Sequence, residues 1–421
     1  MKYIFLFQFL LISFFVSAQS DSFYLLKPAR VFDGETMHAD WVVLVHGNKI
    51  ENAGAMTFKL PANTRIIEFK NATLLPGLIE GHSHFFLHPY NETSWNDQVL
   101  KESRAERTAR AVTHAKATLM AGFTTTRDLG TEGCMYDDAG LKTAIEKGII
   151  HGPRMIVATR AIVAKGTYGP HLGNADIDFP QGAAEVGNKE ELEKEVRTQI
   201  SKGADVVKIY ADYPWGVNGE SEPTFTTEEL AAAVAIAKSS GRFVTVHSST
   251  PEGMRRAIDA GVHSIEHGND GTEEIFKLMK DKGVALCPTL AAGDAIAQYY
   301  LKWKKGIDPE PARITNKRKS FQAALKAGVT ICMGGDVGVF PHGDNAREME
   351  MMVDYGMKPA AVLKSATSVN ADVFGYADKI GRIRKGLFAD IIVVEGDPSI
   401  NIHDIRNNIF IMKDGKIYKE K

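Results

Sequence analysis

Two histidines stand one residue apart in the stretch GLIEGHSH, Gly77 to His84, where the chain leaves an apolar run. Residues i and i+2 of a strand share a face, so His82 and His84 point the same way and Ser83 the other. Neutral imidazoles converging on one point suit a metal ion, histidine being the commonest metal ligand. Taken alone, such a pair reads equally as two polar residues opening a loop. Four more side chains able to act at a metal site close β-branched runs further on: Lys208 in VVKIY, His247 in FVTVHS, His267 in SIEH and Asp336 in TICMGGD. Alternation puts Val206, Lys208 and Tyr210 on one face and Val207 and Ile209 on the other. The apolar pair fits under covering helices, which turns Lys208 inward. A lysine buried beside cations has a depressed pKa. Its neutral amine can take up carbon dioxide as a carbamate, an anionic oxygen ligand able to bridge two cations. A structural lysine paired with an internal carboxylate explains the same position. Asp336 follows Gly334-Gly335, where small residues permit close backbone approach. A carboxylate there can bind a metal and accept a proton from water, or it can simply close a turn or cap a helix. His114, His151 and His263 read as ordinary surface, core or turn residues.

These side chains need a scaffold that brings them together. Candidate strands at 74–84, 124–130, 154–163, 206–212, 243–249, 264–270, 284–290 and 330–338 alternate with helical patterns at 104–121, 189–202 and 227–240. The second helical pattern carries acids early and stops at Gly203, and the third opens on Thr226-Thr227 followed by two glutamates. Eight such repeats predict an α/β fold, a (β/α)₈ TIM barrel over 74–376. No glycine-rich dinucleotide or phosphate fingerprint follows the first strand, which counts against an open doubly wound sheet. In a barrel the chemistry sits at the C-terminal ends of the strands, where His82, His84, Lys208, His247, His267 and Asp336 all fall. The flanks, 22–73 and 377–421, read as short strands with Asp33-Gly34, Gly47-Asn48 and Asp414-Gly415 turns. They predict a small β-sandwich domain built from both chain ends.

The composition is that of a folded globular protein, 44% hydrophobic and 24% charged over 421 residues. A formal net charge of −2, without a basic block, excludes an electrostatic footprint for nucleic acid. After Lys2, residues 3–16 are apolar apart from Gln8 and Ser13, and Val16-Ser17-Ala18 offers a small-residue cleavage site. This predicts a signal peptide over 1–18, too short to span a bilayer, and an exported protein, periplasmic or secreted, without stable membrane association after its removal. Cys134, Cys287 and Cys332 are odd in number and widely spaced, so no disulfide framework is expected.

In joint order the pieces LLPGLIEGHSH, ADVVKIY, VTVHS, SIEHG and GGDVGVFPHGDN resemble the amidohydrolase superfamily. The chain looks closest to its imidazolonepropionase-like and prolidase-like metal hydrolases with two zinc ions, over nearly the whole length after the leader. ATSVNADVFGYADKIGRIRKGLFADIIVVEGDP resembles the family's return into its small β-domain. The resemblance implies that His82, His84 and Asp336 hold one Zn2+. His247 and His267 would hold the second, and N6-carboxylated Lys208 would bridge the two. It implies attack by a bridging hydroxide on an amide of a dipeptide or N-acyl amino acid, with Asp336 as general base and acid. Tyr168, His171, Tyr210, Tyr213 and His342, in loops after strands, are candidates to bind the substrate, and Trp215 to wall an apolar pocket. Relatives are often homo-oligomers. The same metal pair serves lactone, cyclic-amide and phosphotriester hydrolysis in relatives, and a catalytically silent binding protein on this scaffold is the alternative of another class. One departure stands out. Many relatives carry threonine before the aspartate, whereas here it is Gly335, which removes a hydroxyl able to orient Asp336.

Overall fold

The computed structural model describes residues 22–171, 173, 174 and 176–421. The leader read over 1–18 lies outside the described residues. Both chain ends enter one eight-stranded sheet. The N-terminal part supplies Phe23–Phe32, Met37–Ala39, Trp41–His46, Lys49–Ala55 and Arg65–Pro76, and the C-terminal part Ile391–Glu395, Asn408–Lys413 and Lys416–Glu420. The two parts meet where Ile391–Glu395 runs antiparallel to Arg65–Pro76. The sheet curls so that its far flanks touch: a Cβ on Gly415 would lie 1.9 Å from the carbonyl of Gly47, and Ile50 donates its N–H to Leu387 O at 3.0 Å. The two halves enclose an apolar core containing Leu26, Val43, Ile50, Leu74, Ile391 and Phe410. Because strand residues alternate between faces, Ile391 and Val393 enter this core while Ile392 and Val394 enter that of the barrel. The sheet and the barrel are therefore packed as one body.

The barrel strands are Leu78–Ser83, Phe123–Asp128, Arg154–Val157, Val206–Tyr210, Phe243–Ser248, Ser264–His267 and Ala285–Cys287, with the segment 330–337 as the eighth. The third joins the fourth through Asp205 N to Val157 O at 2.7 Å, and the seventh joins the eighth through Cys332 N to Leu286 O at 2.8 Å. Closure onto the first strand comes from Gly81 N to Met333 O at 3.0 Å and His84 N to Val337 O at 2.7 Å. The helices start as their sequences suggest: Asn188 caps Lys189–Ser201, and Thr226 with Glu229 forms a capping box on Thr227–Ser239.

Two sequence expectations need correction. The run 74–84 is not one strand: Arg65–Pro76 belongs to the composite sheet through Pro76, and the barrel begins at Leu78. Gly77 marks the break, where a Cβ would lie 2.1 Å from Thr124 Oγ1. The run 154–163 also splits, because the chain turns at Thr159 with φ 62, and Ile162–Ala164 pairs with Ala184–Val186. The three cysteines are buried and free. Among the described residues no helix is long and apolar enough to cross a membrane.

Candidate metal centre

The barrel brings all six strand-end residues to one place. His84 Nε2 lies 3.2 Å from Asp336 Oδ1, and His82 Nε2 lies 3.6 Å from the same oxygen. The His82 ring stands 5.3 Å from that of His84 and 5.1 Å from that of His267, which in turn stands 4.3 Å from His247. Ligand atoms of His82, His267 and Asp336 lie within 4.8 Å of one another. Lys208, 1% exposed, points inward from the middle of its strand, and its Nζ is buried without a hydrogen-bond partner.

Strict alternation would turn His267 away from the interior, since Glu266 already points in. It is redirected because its backbone is left-handed, φ 75, and Asp336 has φ 62. Such conformations cost of order 1–3 kcal/mol each and persist where the surroundings over-determine them. The eighth strand also lies unusually close to the first: a Cβ on Gly334 would be 2.8 Å from the backbone N of His82.

In three of the four histidines Nδ1 is engaged by a protein oxygen: His82 with Glu266 at 2.8 Å, His84 with Gly130 O at 2.8 Å and His267 with Thr289 Oγ1 at 2.7 Å. That arrangement fixes each ring and leaves Nε2 to ligate. Burial, with the charge of Lys208, drives the imidazoles neutral, His82 to about 4 and His247 to about 3. Burial also lowers the Lys208 ammonium to about 8. Asp336 stays ionised: burial pushes its carboxyl up, but the histidines beside it bring it down to about 2. His84 differs, since burial lowers it while the hydrogen bond and charge of Asp336 carry it to about 9. A cation there would compete with that proton for the same lone pair. Neutral imidazoles, an ionised carboxylate and an orphaned buried amine form a donor set that fits divalent cations.

Beneath the centre lies a polar network that the sequence reading missed. Glu266 accepts from Arg127 Nη2 at 2.8 Å and Thr245 Oγ1 at 2.5 Å, and Arg127 also donates to Gly81 O at 2.7 Å. Burial would raise the Glu266 carboxyl, but Arg127 and His82 hold it well below the usual range. Glu80 accepts from His82 N at 3.1 Å, Gly335 N at 2.8 Å and Asn345 Nδ2 at 2.9 Å, tying the first strand to the eighth. This answers the missing threonine. A Cβ at Gly335 would lie 3.0 Å from the Phe340 ring, and the backbone N–H held by Glu80 orients Asp336 instead. Strand parity signals part of this network: Glu80 shares a face with His82 and His84, Thr245 with His247, and Ser264 with Glu266.

The proposed substrate residues divide. Tyr168, Tyr210 and Tyr213 form one aromatic wall, with ring centroids 4.7 and 5.0 Å from Tyr168, and Tyr210 stacks on His247 at 4.6 Å. Tyr168 donates its hydroxyl to the buried carboxylate of Glu132 at 2.6 Å, which also accepts from Trp95 Nε1 at 2.9 Å. Glu132 was not among the residues singled out from the sequence. His342 does not join this wall. It is stacked between Phe85 and His114, with Nε2 on the carbonyls of His84 and Leu87 at 3.2 Å, and so supports the first-strand loop from behind. His171 is exposed in the loop that follows Tyr168. Trp215 is half exposed on the short hairpin after the fourth strand, its indole N–H on Glu222 O. His114 and His263 are half-buried packing residues, and His151 stands at the surface against Tyr418.

Residues 73–419 match the model of the Amidohydrolase family. The chain is 30% identical over 378 residues to an ochratoxinase of Aspergillus niger, covering 82% of this chain and 75% of that protein. Among solved structures, a Xaa-Pro dipeptidase with bound methionine in the active site superposes with TM-score 0.83 and 31% identity, over 94% of this chain and all of that one. A prolidase complexed with n-methylphosphonate-l-proline superposes with TM-score 0.79 and 26% identity, over 95% and 100% of the two chains.

Proposed function

The chain belongs to the amidohydrolase family, a hydrolase acting on amide bonds of small molecules, and from that premise we propose a zinc-dependent enzyme that cleaves a dipeptide or an N-acyl amino acid. The observation that carries the metal part is Lys208: its Nζ is buried without a partner, close enough to His82, His247 and His267 and to the carboxylates of Glu266 and Asp336 for their charges to act on one another. A bare ammonium there would go unsatisfied, whereas N6-carboxylation would turn it into an anionic oxygen donor for divalent cations. His82, His84 and Asp336 would hold one Zn2+, His247 and His267 the other, with carboxylated Lys208 between. Such a pair, when bound, supplies Lewis-acid polarisation of the scissile carbonyl and a water of lowered pKa. Asp336 is the proton carrier: its ionised carboxylate accepts the proton of the attacking water and passes it to the departing amine nitrogen. The low pKa that Asp336 owes to its neighbours keeps it in the base form at neutral pH.

The substrate class is supported by the relatives and by the wall beside His247. One similar structure holds methionine in its active site, and another is complexed with n-methylphosphonate-l-proline. Tyr168, Tyr210 and Tyr213 offer an apolar face with phenolic hydroxyls at its edge, suited to an amino-acid moiety. We further propose, from the leader expected over 1–18, that the mature enzyme acts outside the cytoplasm. N-terminal sequencing of exported protein starting near Gln19 tests that location.

Metal analysis and a substrate panel test the activity. Purified protein grown with ample zinc should carry about two zinc ions per chain. It should hydrolyse dipeptides or N-acyl amino acids in preference to lactones and phosphotriesters, and the opposite preference overturns the substrate class. Asp336→Asn should lower kcat about 10²- to 10⁴-fold while zinc is retained. Undiminished turnover in that variant removes the proton-transfer role.

A further inference from the structure

The helix Leu290–Tyr300 begins without help from its own cap. Thr289, at its N-cap with φ 51, makes no side-chain bond to the helix. A threonine there ordinarily accepts from the N–H of the second or third helical residue. Here its hydroxyl oxygen lies instead 2.7 Å from His267 Nδ1. The orphaned N–H groups are met from elsewhere: Glu348, wholly buried in the helix Ala346–Asp354, accepts from Leu290 N at 3.0 Å and from Ala291 N at 2.7 Å. A third element completes the arrangement. Lys317, on Ala312–Ala327, donates its Nζ to His267 O at 2.6 Å and to Asn269 Oδ1 at 2.8 Å. His267 is thus gripped at its ring and at its carbonyl, while its backbone sits in the left-handed region.

We propose that Glu348 is a positioning residue for His267: by taking over the cap of the Leu290–Tyr300 helix it releases the Thr289 hydroxyl to fix the imidazole, while Lys317 holds the carbonyl behind it. Glu348 bonds to the helix N–H groups and to none of the six candidate ligands, and would act through Thr289. Without its carboxylate Leu290 N and Ala291 N lose their acceptor, and a threonine at the N-cap is the residue type that ordinarily accepts from the second or third helical N–H, so Thr289 would be drawn from the imidazole to the helix. The ring would then be free to rotate about its side-chain bonds, and Nε2 would lose its fixed direction. Outer partners of metal-bound histidines are worth about 10- to 100-fold in metal affinity or activity. The inference rests on His267 as a zinc ligand.

The test is competition between the protein and a chromophoric chelator for zinc, on the wild type, Glu348→Gln, Thr289→Val and the double variant, with thermal melts to confirm that each is folded. Glu348→Gln should weaken one of the two zinc ions about 10- to 100-fold and leave the other near its wild-type affinity. Thr289→Val, which leaves the Glu348 cap intact, should do the same. The double variant should be no worse than Thr289→Val alone, because both changes cut one path. Wild-type zinc retention in either folded single variant overturns the role, as do losses that add in the double. Should Glu348→Gln fail to fold, Glu348→Asp, which keeps the charge but draws the acceptor back from the helix, is read in its place: one weakened zinc supports the role and wild-type retention overturns it. Wild-type protein that binds no zinc at all overturns the metal reading beneath the inference, a result distinct from equal retention across the set.

Discussion

The core of the composite sheet and the inside of the barrel are equally buried and chemically opposite. Leu26, Val43, Ile50, Leu74, Ile391 and Phe410 fill the first. The second, below the metal centre, holds Glu80, Arg127, Lys208, Thr245, Ser264 and Glu266, none more than 2% exposed. Apolar burial stabilises by about 25 cal/mol per Å². A buried ion pair such as Arg127–Glu266 is weak support for stability, because desolvating two charges offsets most of their attraction. The difference teaches where each region's constraint lies. The sheet needs volume and shape, whereas the barrel interior accepts the cost of buried charge to hold imidazoles at fixed angles.

The sharpest way to break that contrast is at Arg127. Arg127→Met leaves Glu266 buried and unpaired, so the protein should lose about 3–5 kcal/mol, read by chemical denaturation. Glu266 also orients His82 through Nδ1, so zinc retention should fall with it. Adding Glu266→Leu removes the stranded charge. The double variant should recover most of the lost stability and still release zinc readily, since His82 no longer has a partner. Recovery of both properties together would mean that the network serves stability alone.

The converse change lies in the sheet. Leu26 is fully buried, and its strand is flanked by Trp41–His46 and Arg65–Pro76. Leu26→Ala should cost about 2–5 kcal/mol through lost burial and the cavity left behind. At temperatures where the variant remains folded, kcat and zinc content should match the wild type. A fall in either would show that the sheet transmits strain to the barrel through Ile392 and Val394, which the two regions share.

The same contrast explains what could be read from the sequence. The candidate ligands stood out because polar residues interrupt apolar strands at their ends, and because His82 and His84 obey a two-residue period. The barrel and the two-ended sheet were legible from the order of strands and helices. Arg127 and Glu266 were not singled out: their partnership spans 139 positions, and no local period predicts a pairing across a closed barrel. Parity alone would have pointed Glu80 inward beside His82. His267 shows the opposite limit, since it reaches the site only through a positive φ that alternation does not contain. Thr289 and Glu348 were hidden for a related reason, the threonine's normal cap role being filled by a carboxylate from a later helix. The single third strand failed because Thr159 turns the chain inside an apolar run that composition reads as continuous. His342 was misplaced because a histidine in a site loop looks the same from either side of that loop.

The smallest expected effect tests the sheet's edge, where charge is placed at the surface rather than inside. Asp33 accepts from Glu35 N at 2.7 Å and Thr36 N at 2.8 Å through one oxygen and lies 2.8 Å from His38 Nε2 through the other. Burial pushes its carboxyl up, but those backbone N–H groups and His38 together bring it below its ordinary 3.8. A carboxylate depressed in the folded state contributes stability above its unfolded pKa and loses it as pH falls through the folded one. Asp33→Asn should therefore cost about 1 kcal/mol near neutral pH, and the gap to wild type should close as unfolding is measured at successive pH values below 3.8. A gap that persists at low pH would assign the effect to hydrogen-bond geometry, which asparagine reproduces imperfectly, and not to charge. Zinc content should be unaffected throughout, because the carboxylate stands in a turn of the composite sheet and takes no part in holding the imidazoles.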